Sequence, residues 1–219
     1  MSVGGGYSPS GAQGVLELNM KNFSKKLSSL AADNSIVQLY GGGCQKESLD
    51  VYVKAKDFTF EDQLFTTFFE GNSDSECVWR HNELEHLDGA STKDNVEYFL
   101  EDQIRRTRKN DNFRFYFTGH GSKKSREDKD DESQMDLWGV ESAMLASEFV
   151  SELDKLPVET HTQVLMVQCF SGGFTKMNFE GGETTNKLSS HNRCGFFSQL
   201  PDRLAAGCTP DLEKREEYS

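Results

Sequence analysis

The sequence predicts an α/β domain, a three-layer α-β-α sandwich around a mainly parallel sheet. Short β-branched and aromatic runs that stop at glycine alternate with amphipathic helical stretches. That alternation is the pattern of parallel strands joined by crossover helices. A length of 219 residues suits one such domain with a substantial core and is too short for two large ones.

Taken in order, residues 1–14 hold five glycines, three serines and a proline, and read as a flexible leader before a folded domain at 15–219. Residues 36–40 (Ile-Val-Gln-Leu-Tyr) form a short buried strand that ends at Gly41-Gly42-Gly43. Leu49, Val51 and Val53 alternate as a strand would. Residues 58–69 lean towards helix, with Phe60, Leu64, Thr67 and Phe68 on one face. Residues 92–108 carry a clear helical stripe of Val96, Phe99, Leu100 and Ile104. Thr92 can cap that helix, and its acids precede its arginines as the helix dipole favours. Residues 113–117 (Phe-Arg-Phe-Tyr-Phe) read as a strand ending at Gly119, and residues 123–134 as a polar surface loop. Leu145, Phe149, Leu153 and Leu156 mark a second helix, stopped by Pro157. Val164 to Val167 are the core of a further strand, and residues 194–197 of another.

Composition narrows the function. Lys+Arg number 24 against 36 Asp+Glu, for a net charge of −12. Such a surface repels phosphate backbones and anionic lipids, so neither nucleic acid nor membrane is expected as a partner. No apolar stretch approaches the roughly 20 residues of a membrane span. The first residues lack the basic and apolar regions of a signal peptide, which favours the cytoplasm. Cys44, Cys77, Cys169, Cys194 and Cys208 are odd in number and widely spaced, with no CxxC. Neither a disulfide scaffold nor a zinc site is expected. The acidic run 126–132 is the one calcium candidate, without EF-hand spacing, so the chemistry is expected to need no metal or cofactor.

Two strand ends carry reactive side chains. Thr118-Gly119-His120-Gly121-Ser122 follows one apolar run, and Gln168-Cys169-Phe170-Ser171-Gly172-Gly173 follows another. In open α/β sheets, sites gather at the carboxyl ends of strands. His120 and Cys169 lie 49 residues apart with one helix between them, a separation that brings two parallel strand ends to one edge. An imidazole beside a thiol raises its nucleophilic fraction and can protonate a leaving amine. Glycine neighbours let backbone N–H groups approach a developing oxyanion, with Gly121 and Cys169 as the natural donors.

These residues resemble the caspase-like superfamily of cysteine peptidases. Phe-Tyr-Phe-Thr-Gly-His120-Gly-Ser followed by Val-Gln-Cys169-Phe-Ser-Gly-Gly carries the likeness, closest to bacterial legumain-like members. Residues 88–96 are similar to the segment before the histidine strand, and residues 37–43 look like the first core strand. The resemblance covers roughly residues 35–219 and implies a Cys169–His120 dyad cleaving peptide bonds of protein substrates, the chain itself included, after a preferred P1 residue. Gln168, Ser171, Asp211 and Glu213 are substrate-binding candidates. Val167 stands where many members carry an acid or glutamine, which leaves the P1 preference open. The chain stops at Ser219, where members usually continue through further sheet elements. A C-terminal subunit or second chain is therefore expected to complete the fold. The alternative readings are a catalytically silent interaction scaffold and a cysteine acyltransferase or amidase.

Overall fold

The structure is a computed structural model that describes residues 1–28, 36–54, 77–126 and 129–205. Its strands in chain order are Ser2–Gly5 (β1), Gln38–Tyr40 (β2), Val51–Lys54 (β3), Cys77–Arg80 (β4), Asn112–Arg126 (β5), Lys129–Asp136 (β6), Ala143–Leu145 (β7), His161–Val167 (β8) and Arg193–Phe197 (β9). Its α-helices are Gly14–Leu27 (α1), Lys93–Arg106 (α2) and Ala146–Leu153 (α3). Five parallel strands run in the order β2-β1-β5-β8-β9, while β6 and β7 extend the sheet antiparallel from the far half of β5. β3 and β4 form a separate antiparallel ribbon.

Strand alternation divides the interior into two cores. Phe113, Phe115 and Phe117 of β5 and Val164 and Met166 of β8 face one way. They pack with Val96, Leu100 and Ile104 of α2 and Phe149, Val150 and Leu153 of α3. Tyr116 faces the other way, with Val15, Leu16 and Met20 of α1. Leu165 and Val167 flank that second core, and Asn19 of α1 donates to Thr118 Oγ1 at 3.1 Å. Helices on both faces of the sheet make the three layers.

Several elements form for the reasons legible in the sequence. α2 starts at Thr92, whose side chain accepts from the Asn95 N–H at 3.4 Å, and ends at Arg105 and Arg106, which hold Asp102. α3 is fixed at its start by two carboxylates: Glu148 accepts from the Leu145 N–H at 2.8 Å and Glu132 from the Ser147 N–H at 2.6 Å. The expected helix at 58–69 lies outside the described residues.

Three expectations are corrected. Residues 1–14, read as a leader, contain β1, which is buried and hydrogen-bonded between β2 and β5. The first core strand is therefore β1 and not residues 37–43. Its small residues, mistaken for linker composition, are what the packing needs: a Cβ on Gly4 would lie 2.8 Å from Met20 Cγ of α1. Residues 123–126 and 129–134 are not a loop but paired strands, β5 with β6, so β5 does not end at Gly119. Polar composition there reflects an antiparallel extension beyond the parallel strands, whose polar side chains bond across the pair.

Candidate active site

The chain leaves β1 sideways to β2 and later returns to β5 on the opposite side of β1. The carboxyl ends of β1 and β5 therefore flank the point where strand order reverses, where a crevice opens in sheets of this kind. His120 stands on β5 at this point.

β5 and β8 pair in parallel through Thr118 and Val167. Two residues past this last pair come His120, still on β5, and Cys169, in the turn that follows β8. His120 shares the parity of Tyr116 and thus faces the α1 side. Neighbouring strands lie about 4.8 Å apart, so the two residues stand at the same edge of the sheet. Both side chains are half-buried. No hydrogen bond joins the ring to the thiol.

The imidazole is instead oriented from its far side. Its Nε2 lies 2.8 Å from the Gly11 carbonyl oxygen and 2.9 Å from Gln13 Oε1. A carbonyl only accepts, so Nε2 carries a hydrogen and Nδ1 is the nitrogen left to exchange a proton. The Tyr7 ring packs edge-on against the imidazole, with centroids 5.2 Å apart. Tyr7, Gly11 and Gln13 all belong to the exit of β1, inside the segment expected to be a leader. Sequence reasoning missed them because Val3 is the lone apolar β-former ahead of the glycines.

The turn after Cys169 is strained. Phe170 holds φ 57° and ψ 16°, a left-handed conformation costly for a non-glycine residue. The chain then enters a 3-10 helix at Ser171–Asn178. Gly121 meets the same turn from β5. A Cβ there would run into the Cys169 carbonyl oxygen and come 2.7 Å from Gln168 Cγ, so the two expected oxyanion donors belong to touching segments.

Residues following β9 fold back over this turn. The Ala205 N–H donates to Cys169 Sγ at 3.2 Å, and the Phe170 N–H donates to the Arg203 carbonyl at 2.9 Å. Ser171, expected to bind substrate, is fully buried and accepts from the Gln199 N–H at 3.0 Å, so it builds the turn. Gln168 is 1% exposed and shares the parity of Val164 and Met166. It faces away from the dyad, with neither amide atom hydrogen-bonded. Asp211 and Glu213 lie outside the described residues.

A cavity of about 790 Å³ lies nearby, lined by residues next to the pair and not by His120 or Cys169 themselves. Tyr7 connects it to His120, and Lys123, whose Nζ lies 5.6 Å over the Phe170 ring, connects it to the cysteine turn. Its floor includes Asp136, the cross-strand partner of His120.

Neither a family model nor a curated protein matches the chain. Among solved structures it is similar to the crystal structure of a structural-genomics target protein from Geobacter sulfurreducens, at 14% identity and a TM-score of 0.49. The match covers 81% of this chain and 52% of that one, so this chain spans about half the length of its structural neighbour. Among the described residues, no group of three His, Cys, Asp or Glu side chains could hold a metal ion. No helix among them is long and apolar enough to cross a membrane.

Proposed function

We propose that this chain is a cysteine endopeptidase of the caspase-like kind, with Cys169 as nucleophile and His120 as general acid and base. The observation that carries the reading is that β5 and β8 pair in parallel up to Thr118 and Val167, so that His120 and, just past the end of β8, Cys169 come to the same edge of the sheet. The hydrogen bonds that turn Nδ1 into the free nitrogen support it further.

In this reading Nδ1 takes the thiol proton as Sγ attacks the carbonyl carbon of the scissile peptide bond. The oxyanion is met by the N–H groups of Gly121 and Cys169. The imidazolium returns its proton to the leaving amine, the C–N bond breaks and a thioester remains. Water then gives a proton to Nδ1, attacks the thioester and releases the acid and the free thiol. Gly11 and Gln13 hold the ring through both half-reactions as the orienting third party of a nucleophile–base pair. Before substrate can enter, the Ala205 N–H must leave the thiol.

The test is hydrolysis of fluorogenic peptides varied at P1, by the wild-type chain, by Cys169→Ala and by His120→Ala. Removing either member of such a pair is expected to lower kcat by at least about 10³-fold. Turnover that survives Cys169→Ala would sink the reading.

The second reading, a silent scaffold, draws on the Ala205 contact, which occupies the thiol in the structure. It predicts no turnover and ordinary alkylation rates at Cys169.

A further inference from the structure

The cavity near the dyad carries charges that balance in number but are unevenly paired. It is lined by Lys93, Lys123 and Lys124 and by Asp136, Glu141 and Glu148. Lys93 is paired with Glu148 at 2.8 Å and with Glu97 at 3.7 Å. Lys124 lies in the field of the same Glu148, where it helps hold that carboxyl below its ordinary range, against the opposing effect of burial. Lys123 lies over the face of Phe170.

Asp136 differs. It accepts from Ser122 Oγ at 2.6 Å and from Gln134 Nε2 at 3.1 Å, both neutral donors, and no cation among the described residues pairs with it. Gln134 Nε2 also reaches Ser122 Oγ at 2.8 Å, which closes the three side chains into a fixed triangle. A carboxylate with this much support is held in one rotamer while its charge stays uncompensated. It is directly across the strand pair from His120, on the cavity floor.

We infer that Asp136 is the specificity-determining residue of the site and selects a basic side chain, arginine or lysine, at P1. The inference rests on the peptidase reading above and names its substrate class. An arginine guanidinium entering the cavity would replace nothing already paired to Asp136 and would gain a charge-assisted hydrogen bond there. An acidic P1 residue would meet the same carboxylate as a like charge.

Labelling with peptidyl acyloxymethyl ketones tests this without requiring turnover. The Cys169 thiolate displaces the acyloxy group as a carboxylate and is left as a thioether, which intact mass reads directly. Three probes differ only at P1: arginine, norleucine and aspartate. Wild type should label fastest with the arginine probe. Asp136→Asn keeps the size and an acceptor oxygen for Ser122, and should slow the arginine probe by about 10–100-fold, the value of one hydrogen bond to a charged group. The norleucine rate should change little. Asp136→Lys should reverse the order of the arginine and aspartate probes.

Equal rates for all three probes in wild type, or an arginine preference that survives Asp136→Asn, would overturn the inference. If such labelling still required His120, the peptidase reading would stand without it. Labelling unaffected by His120→Ala, or none with any probe, would overturn both.

Discussion

At the scale of single residues, the site is made by what surrounds the imidazole as much as by the thiol. His120 is half-buried, and Nε2 is held by a backbone carbonyl and by Gln13. Gln13 is thus a positioning residue. Gln13→Ala removes one of two acceptors, worth about 0.5–1.5 kcal/mol, and should lower kcat about 2- to 10-fold with KM unchanged. Steady-state kinetics at fixed pH checks this, and a rise in KM with constant kcat would contradict it. His120 and Cys169 stand out in the sequence because each follows an apolar run, His120 between two glycines and Cys169 three residues before a glycine pair. Gln13, Gly11 and Tyr7 were not, because their role depends on a strand of four residues, three of them serine or glycine, which has no alternating pattern to read.

At the scale of elements, three devices set the site: the exit of β1, the hairpin of β5 and β6, and the segment after β9. The first two place groups around His120. The third covers Cys169, with the Ala205 N–H on the sulfur and the Arg203 carbonyl on the next amide. Ala205→Pro deletes that N–H and should speed alkylation of Cys169 by a small neutral reagent, read by mass against exposed Cys44 and Cys194 as internal standards. An unchanged rate would show that the contact does not shield the thiol. Helix α2 was legible down to its Thr92 cap because capping and dipole preferences are local. The hairpin was not, because its polar residues satisfy each other across strands rather than along one. Ser122, Gln134 and Asp136 make sense only once paired.

At the scale of the molecule, two cores on either side of one sheet supply the stability, and a buried ion pair fastens the smaller one. Glu17 of α1 is 3% exposed and takes both terminal nitrogens of Arg80, at 3.2 and 2.7 Å. Burial pushes the Glu17 carboxyl up, but Arg80, the Glu83 N–H and Lys21 together bring it below the ordinary 4.5. A carboxyl lowered by folding stabilises fully above its unfolded value, and that contribution fades as pH falls through the folded value. Glu17→Gln should therefore cost about 1.5–3 kcal/mol near neutrality and much less in acid. Urea unfolding at pH 7 and below pH 4 measures the difference, and an equal loss at both would argue against the pair. The alternating strand and helix order made the α/β class readable from local patterns. The position of β1 between β2 and β5 was not readable, since no short-range preference records which neighbours a strand finds.

The grip of Gly11 on the imidazole joins residues 109 apart in the chain. Ser8, Pro9 and Ser10 beside it lie on an outward turn, with Pro9 and Ser10 exposed. Damage to that turn would loosen the ring while the sheet, the two cores and the ion pair stayed whole. On the peptidase reading, activity and foldedness can thus part company: a sample could melt normally, run as a single species and still be chemically dead.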